Sequence, residues 1–237
     1  MEIYKYEQTD STNLRAKEFV LSGGALPCLF VANEQTMGRG RRGKSFYSPK
    51  DSGLYMTLAL PFNYMDCDDL SVTSLSAVAV ALAIKEVCGI DTGIKWVNDL
   101  YVCDKKVCGI LTELICEPQS SKPLSIIIGI GINLSTKDFP SEIENIATSL
   151  FVNPDIKEKL CEKITDNILN IKDRDFMEEY KRLSIVLGKE ICYTVNGVDY
   201  QGTAISINDK GHLEVLNDDG SRYTLSSGEI SLKLKRD

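Results

Sequence analysis

The sequence predicts an α/β (α+β) protein that ends in a small β-barrel or sandwich. Two observations carry this. Through residue 187, apolar runs of strand length alternate with longer stretches of helical period. After residue 188 only short β-runs remain, separated by the turn dipeptides Asn196-Gly197, Lys210-Gly211 and Asp219-Gly220. The division expected is therefore 1–187 for a larger domain and 188–237 for the barrel. With 237 residues, 43% hydrophobic and 26% charged, a packed core is expected.

Asp10-Ser11-Thr12-Asn13 offers helix caps before a short helical pattern that ends at Gly23-Gly24. Ser11 and Thr12 either only cap or also turn their hydroxyls to a ligand at the helix start. Cys28 to Asn33 and Gly53 to Leu60 read as strands, the second closed by Pro61. Leu70 to Cys88 reads as a buried helix stopped by Gly89. Ile94 to Val102 and Val107 to Leu114, joined by Cys103-Asp104-Lys105-Lys106, read as a hairpin. Leu124 to Leu134 is too apolar for an exposed strand. Its glycines, Gly129 and Gly131, empty one face, which usually marks a bulge or a close ligand. Thr136 to Leu150 reads as a loop whose end, Ala147 to Leu150, can re-enter the core. Asn153-Pro154 starts a helix with the stripe Ile156, Leu160, Ile164, Ile168 and Ile171. A second helix is expected from about Asp175 to Leu187. The barrel strands expected are Ile191–Val195, Ala204–Ile207, His212–Leu216 and Arg222–Leu225, about five strands in all with the closing segment.

Charge and cysteine content narrow the function classes. The net charge is −7, and without Arg39, Arg41, Arg42 and Lys44 the rest of the chain carries −11. A cationic loop on an acidic protein suits a small anion in a pocket better than a nucleic-acid face. The eight cysteines form no C-x-x-C pair and His212 is the single histidine, so a zinc site is not expected. Met1 to Glu7 has no signal-peptide pattern. The longest apolar run, Ala77 to Ile84, is far short of the roughly 20 residues of a membrane span. The expected compartment is the cytoplasm.

The loop itself, Gly38 to Ser45, holds three glycines and four cations directly after a strand. Gly38-Arg39-Gly40-Arg41-Arg42-Gly43 fits G-x-G-x-x-G, and Gly38 to Ser45 fits G-x-x-x-x-G-K-[ST]. Both patterns need a helix to start at the loop and hold phosphate on its N–H groups. The continuation Phe46-Tyr47-Ser48-Pro49-Lys50-Asp51-Ser52-Gly53 forbids that helix.

Five motifs in order then resemble the biotin protein ligase family. They are Ser11-Thr12-Asn13, Gln35-Thr36-x-Gly38-Arg39-Gly40-Arg41-x-Gly43, Lys95-Trp96-x-Asn98-Asp99, Lys106-x-x-Gly109-Ile110-Leu111 and Gly129-Ile130-Gly131-Ile132-Asn133. The closing Gly228-Glu229-Ile230-Ser231-Leu232 resembles the family's small C-terminal barrel. Val97 stands where the family usually has Pro. The resemblance implies a mixed-sheet catalytic domain of class II aminoacyl-tRNA synthetase type over 1–187, with an SH3-like barrel over 188–237. It implies a biotin–[acetyl-CoA-carboxylase] ligase that uses MgATP to make biotinyl-5′-AMP and then biotinylates a lysine of a biotin carboxyl carrier protein. Only ten residues precede Ser11, so the chain looks like the short class without a DNA-binding domain. Neither DNA nor membrane is expected as a partner, and a homodimer is left open.

Carried over residue by residue, the resemblance implies that Ser11, Thr12, Asn13 and Gln35 hydrogen-bond biotin. Arg39 and the Gly40 backbone line the biotin side. Arg41 spans the acyl phosphate, and Lys106 stands by the carboxylate and α-phosphate. Gly109, Gly129 and Gly131 would leave a slot for the ring and tail, and Phe46 would lie near adenine. Asn98 and Asn133 would contact the nucleotide phosphates, and Asp99 would steer the acceptor amine or help hold Mg²⁺. Trp96 reads first as core. Lys95, Lys105 and Arg42 read equally as solvated charge, and Glu113 has no partner that spacing can name. Two competing functions remain: another acyl-adenylate transferase such as a lipoate ligase, and a non-catalytic anion- or nucleic-acid-binding protein.

Overall fold

The computed structural model describes residues 1–64, 69–171, 175–228 and 230–232. Seven strands form the main sheet: β1 (Glu2–Tyr6), β2 (Cys28–Ala32), β3 (Gly53–Pro61), β4 (Gly93–Lys95), β5 (Asp99–Val102), β6 (Lys105–Cys116) and β7 (Pro123–Asn133). Their order is β1-β2-β3-β7-β6-β5-β4. β1 and β2 are parallel, and the other pairs are antiparallel. The expected mixed sheet is therefore present.

Strand alternation sorts the two faces. Leu54, Met56, Leu58 and Leu60 of β3, with Ile126, Ile128, Ile130 and Ile132 of β7, join the larger core. That face is covered by α2 (Asp69–Cys88), α3 (Lys157–Asn170) and α4 (Phe176–Leu183). The residues between, Ala59 and Ile127, face α1 (Thr12–Leu21) through Ala16 and Val20. α2 is long and apolar enough to pass for a membrane span by composition, yet Val72, Leu75, Val78 and Ile84 are all buried in the core.

A second, antiparallel sheet has the order β11-β10-β9-β8-β12. Its strands are β8 (Glu190–Val195), β9 (Val198–Ile207), β10 (Leu213–Asn217), β11 (Arg222–Leu225) and β12 (Ile230–Leu232). β8 and β9 meet at Asn196-Gly197, where both residues have positive φ, 52° and 80°. That is the hairpin turn in which Asn-Gly is favoured.

Several elements differ from the sequence reading. β1 was not expected. The strand 94–102 is two antiparallel strands, β4 and β5, folded about Trp96-Val97-Asn98; the Trp96–Val97 peptide is cis. The helix expected to reach Leu187 stops at Leu183, because Ile185 N donates to Ile94 O at 2.9 Å and ties the chain to β4. β9 starts at Val198 and is longer than the expected run from Ala204. Asn153 starts its helix as read, its side chain accepting from Asp155 N with Pro154 in the first turn. Cys67 and Glu229 lie outside the described residues.

Candidate active site

The floor of the site is the α1 face of the three central strands. Register places Tyr55, Gly131 and Gly109 in one row across β3, β7 and β6, and Thr57, Gly129 and Leu111 in the next. The glycines matter because other groups occupy the space a side chain would need. A Cβ on Gly129 would lie 2.0 Å from Asn13 Oδ1, and one on Gly131 would lie 2.5 Å from the Phe46 ring. On Gly109 it would meet the Lys106 Cε at 3.1 Å and Phe46 at 3.3 Å. Asn13, Phe46 and Lys106 thus stand close over the three glycines. Phe46 packs on the glycine floor.

The cationic loop sits above this floor as a short ladder. Phe46 N donates to Gly38 O at 2.8 Å and Gly40 N to Lys44 O at 2.7 Å, with a 3-10 turn over Arg41–Gly43 between them. No α-helix starts there, as the downstream Pro49 and Gly53 required. Gly38 is needed for close approach: a Cβ would lie 2.3 Å from Phe46 O. Arg41 is directed by two acceptors, Asn98 Oδ1 at 3.3 Å and the Gly228 carbonyl at 3.4 Å. Asn98 in turn donates to Ile110 O at 2.8 Å. Its carbonyl end holds Arg41 while its amine end anchors it to β6.

At the same end of β6, Lys106 pairs with Asp99 at 2.7 Å. The segment that follows β7 returns here: Lys106 N donates to Ile146 O and Thr148 N to Lys106 O, both at 2.9 Å. Its Phe139 ring meets Tyr47 of the cationic loop, centroids 6.3 Å apart. Ser149 and Leu150 are buried, so the segment does re-enter the core. Asn133 Nδ2 donates to Thr148 O at 3.1 Å, while its Oδ1 is buried without a partner among the described residues. Tyr101, beside this group, has its phenol pushed up to about 12 by burial and by the nearby Asp99. It stays a neutral hydroxyl at physiological pH.

Ser11 precedes α1 with an extended backbone, but its side chain makes no capping bond. The reading in which Ser11 only caps is thereby removed. Burial would push the Asp10 carboxyl up, but the Ser11 N–H, Arg15 and Thr9 outweigh it and hold it below the usual range. Thr12 N donates to Gln35 Oε1 at 2.9 Å, and Gln35 Nε2 donates to Ser48 Oγ at 2.9 Å. Asn13 donates to Glu113 at 2.8 Å and accepts from the Thr57 hydroxyl at 2.7 Å. Glu113 also pairs with Arg39 at 3.3 Å.

All these elements enclose one cavity of about 300 Å³. Every candidate residue lines it: Ser11, Thr12, Asn13, Gln35, Arg39, Gly40, Arg41, Phe46, Asn98, Asp99, Lys106, Gly109, Gly129, Gly131 and Asn133. Trp96 is both core and wall; it is buried, lines the cavity and donates to Gly211 O at 2.9 Å. Lys95 lines the cavity as well, 5.5 Å from the Tyr101 ring centroid. Arg42 and Lys105 are not among the lining residues. Gly228 and Ile230 of the second sheet close one side. Sequence reasoning missed these two, and also Thr57 and Glu113 behind the wall. Counting in twos along β6 from Gly109 reaches Glu113, which is the signal that could have found it. Fixed cations and donors around a cavity of this kind can bring two anionic groups together and hold the product.

Comparison with known proteins matches this arrangement. The model of the biotin/lipoate A/B protein ligase family matches residues 6–133, the span that carries all five motifs. The chain is similar to the bifunctional ligase/repressor BirA of Bacillus subtilis (strain 168), 33% identical over 235 residues, covering 94% of this chain and 71% of that one. It is also similar to the biotin--[acetyl-CoA-carboxylase] ligase of Mycobacterium tuberculosis, 26% identical over 238 residues, covering 94% and 86%. Among solved structures, the biotin protein ligase from Aquifex aeolicus in complex with biotin and ATP superposes with a TM-score of 0.80. That pair is 28% identical, with 98% of both chains covered.

Proposed function

The chain belongs to the biotin/lipoate A/B protein ligase family, and from that premise we propose that it is the ligase that joins biotin to a carboxyl carrier protein. In the first step a biotin carboxylate oxygen bonds to the α-phosphorus of ATP. The bond to the bridging oxygen breaks and pyrophosphate leaves. In the second step a carrier lysine amine attacks the acyl carbon of biotinyl-5′-AMP, forming an amide and releasing AMP. The observation that carries this reading is the convergence of the five separated motifs on one cavity, lined by cations and by neutral polar groups.

The residues divide accordingly. Ser11, Thr12 and Gln35 supply neutral polar groups, suited to the ureido ring. Arg39 and Gly40 line the biotin side. Arg41 and Lys106 supply the fixed positive charge that offsets repulsion between carboxylate and α-phosphate, with no reorganisation needed at the moment of reaction. Asn98 directs Arg41 through its carbonyl and keeps a second N–H for a nucleotide phosphate. Asn133 offers an acceptor, Oδ1. Phosphate oxygens are acceptors too, so this atom suits a nucleotide hydroxyl or a cation carried by the phosphates. Magnesium fits on those terms. It favours one or two carboxylates plus phosphates, Asp99 lines the cavity, and no group of three acidic, His or Cys ligands occurs among the described residues. The ion would supply further charge neutralisation on the triphosphate. The Asp99 carboxylate, paired with Lys106, would also receive the incoming ammonium. A reducing cytoplasm is the compartment proposed.

A biotin-dependent ATP–pyrophosphate exchange assay tests the proposal. Exchange with biotin and not lipoate is expected. Exchange only with lipoate would move the chain to the other branch of its family. No exchange with either acid would leave a binding protein.

A further inference from the structure

Two neighbouring residues of the turn between β4 and β5 are gripped from outside the main sheet. Trp96 Nε1 donates to the Gly211 carbonyl, in the turn between β9 and β10, at 2.9 Å. One residue on, the Val97 carbonyl accepts from the Tyr180 hydroxyl of α4 at 2.9 Å. Tyr180 is fully buried, shares the inner face of α4 with Met177, and is not among the residues that line the cavity. Burial pushes its phenol far above the usual range, so it keeps its proton and donates at every working pH.

The grip on Val97 is also a grip on Asn98. The Val97 carbonyl lies in the peptide plane that contains Asn98 N and Cα, so turning that oxygen turns the Asn98 Cα with it. The rest of Asn98 is tied to one residue of β6. Ile110 N donates to Asn98 O at 3.0 Å, and Asn98 Nδ2 donates to Ile110 O at 2.8 Å. With Val97 O fixed as well, the Asn98 backbone is held on both sides and its Oδ1 is delivered to Arg41, 3.3 Å away. Val97 is buried. Without Tyr180 its carbonyl would have no water to turn to, and a buried carbonyl left without a donor shifts toward another one.

We propose that Tyr180 is a positioning residue for adenylate formation: its hydroxyl, acting through the Val97–Asn98 peptide, sets Asn98 and thereby the Arg41 guanidinium. The inference rests on the biotin reading and deepens it. It places on α4, outside all five motifs, a hydroxyl that the reaction needs although it touches no substrate.

Tyr180→Phe removes that hydroxyl and leaves the ring. In biotin-dependent ATP–pyrophosphate exchange, kcat should fall about tenfold, with KM for biotin changed by less than about threefold, since Ser11, Thr12 and Gln35 are untouched. Losing a buried hydrogen bond also lowers stability, so two comparisons separate the roles. Met177→Ala loosens the same helix face and lowers the thermal midpoint without touching the Val97 carbonyl; its kcat should stay within about threefold. In an Asn98→Ala background the guidance of Arg41 is already gone, and adding Tyr180→Phe should cost less than about twofold more in kcat. Unchanged kcat in Tyr180→Phe, an equal loss in Met177→Ala, or fully additive losses in the double variant overturns the proposal. Should the unsubstituted chain show no exchange with biotin, the biotin reading itself fails and this inference with it.

Discussion

Neighbouring glycines in the cavity floor have different reasons for being glycine. Gly129 faces the Asn13 amide, which Thr57 and Glu113 hold at both ends. Gly131 faces the Phe46 ring, which belongs to a surface loop. A methyl at 129 therefore meets a group that cannot yield, and a methyl at 131 meets one that can swing away. Gly129→Ala is expected to destabilise the fold by about 1–3 kcal/mol, as overpacking usually does, and Gly131→Ala by clearly less. Urea unfolding of the two variants decides it, and equal losses would contradict the difference drawn here. Arg41 bridges Asn98 and Gly228 across the cavity mouth. Arg41→Gly is expected to release biotinyl-5′-AMP faster and to label exposed lysines of bystander proteins. Retention of the intermediate at the unsubstituted level would remove the role given to Arg41. At this scale the motif residues were legible, because each carries a residue type that the chemistry needs. Thr57 and Glu113 were not. Their partners lie 44 to 100 residues away in the chain, and only the register of β3, β7 and β6 brings them together.

The two segments over the cavity, 38–50 and 136–147, already touch through Tyr47 and Phe139. One is laddered on itself and the other is pinned to Lys106. An acyl-adenylate needs water kept out, and both segments line the space it would fill. Hydrogen exchange in both is expected to slow when biotinyl-5′-AMP binds, and no slowing in either would count against their closing together. Elements with strong local signals were read well: the α2 stretch, the Asn153-Pro154 start and the Asn196-Gly197 turn. Those set by distant contacts were not. β1 is five residues that become a strand by pairing in parallel with β2. Residues 184 and 185 leave the helical pattern because β4 offers them an edge.

The larger hydrophobic core runs through both sheets. Ile191, Tyr193, Ala204, Leu213, Val215 and Ile230 of the second sheet belong to the same buried cluster as β3, β7 and α2. Trp96 crosses the same junction to Gly211. We propose that 1–187 and 188–237 are separate in architecture but not in stability. Calorimetry is expected to show one cooperative transition, and truncation after residue 187 is expected to lower both its midpoint and exchange activity. Two resolved transitions would contradict this. The change to a second, all-strand sheet was legible because turn dipeptides and short β-runs replace helical period. The shared core was not, since a single sequence does not say which apolar face meets which. The bond from Arg41 to the Gly228 carbonyl spans 187 residues of chain. A chain that has folded only its first sheet can hold Arg41 through Asn98, but it lacks the Gly228 carbonyl, so the hold from both sides of the cavity is completed only when the second sheet has docked.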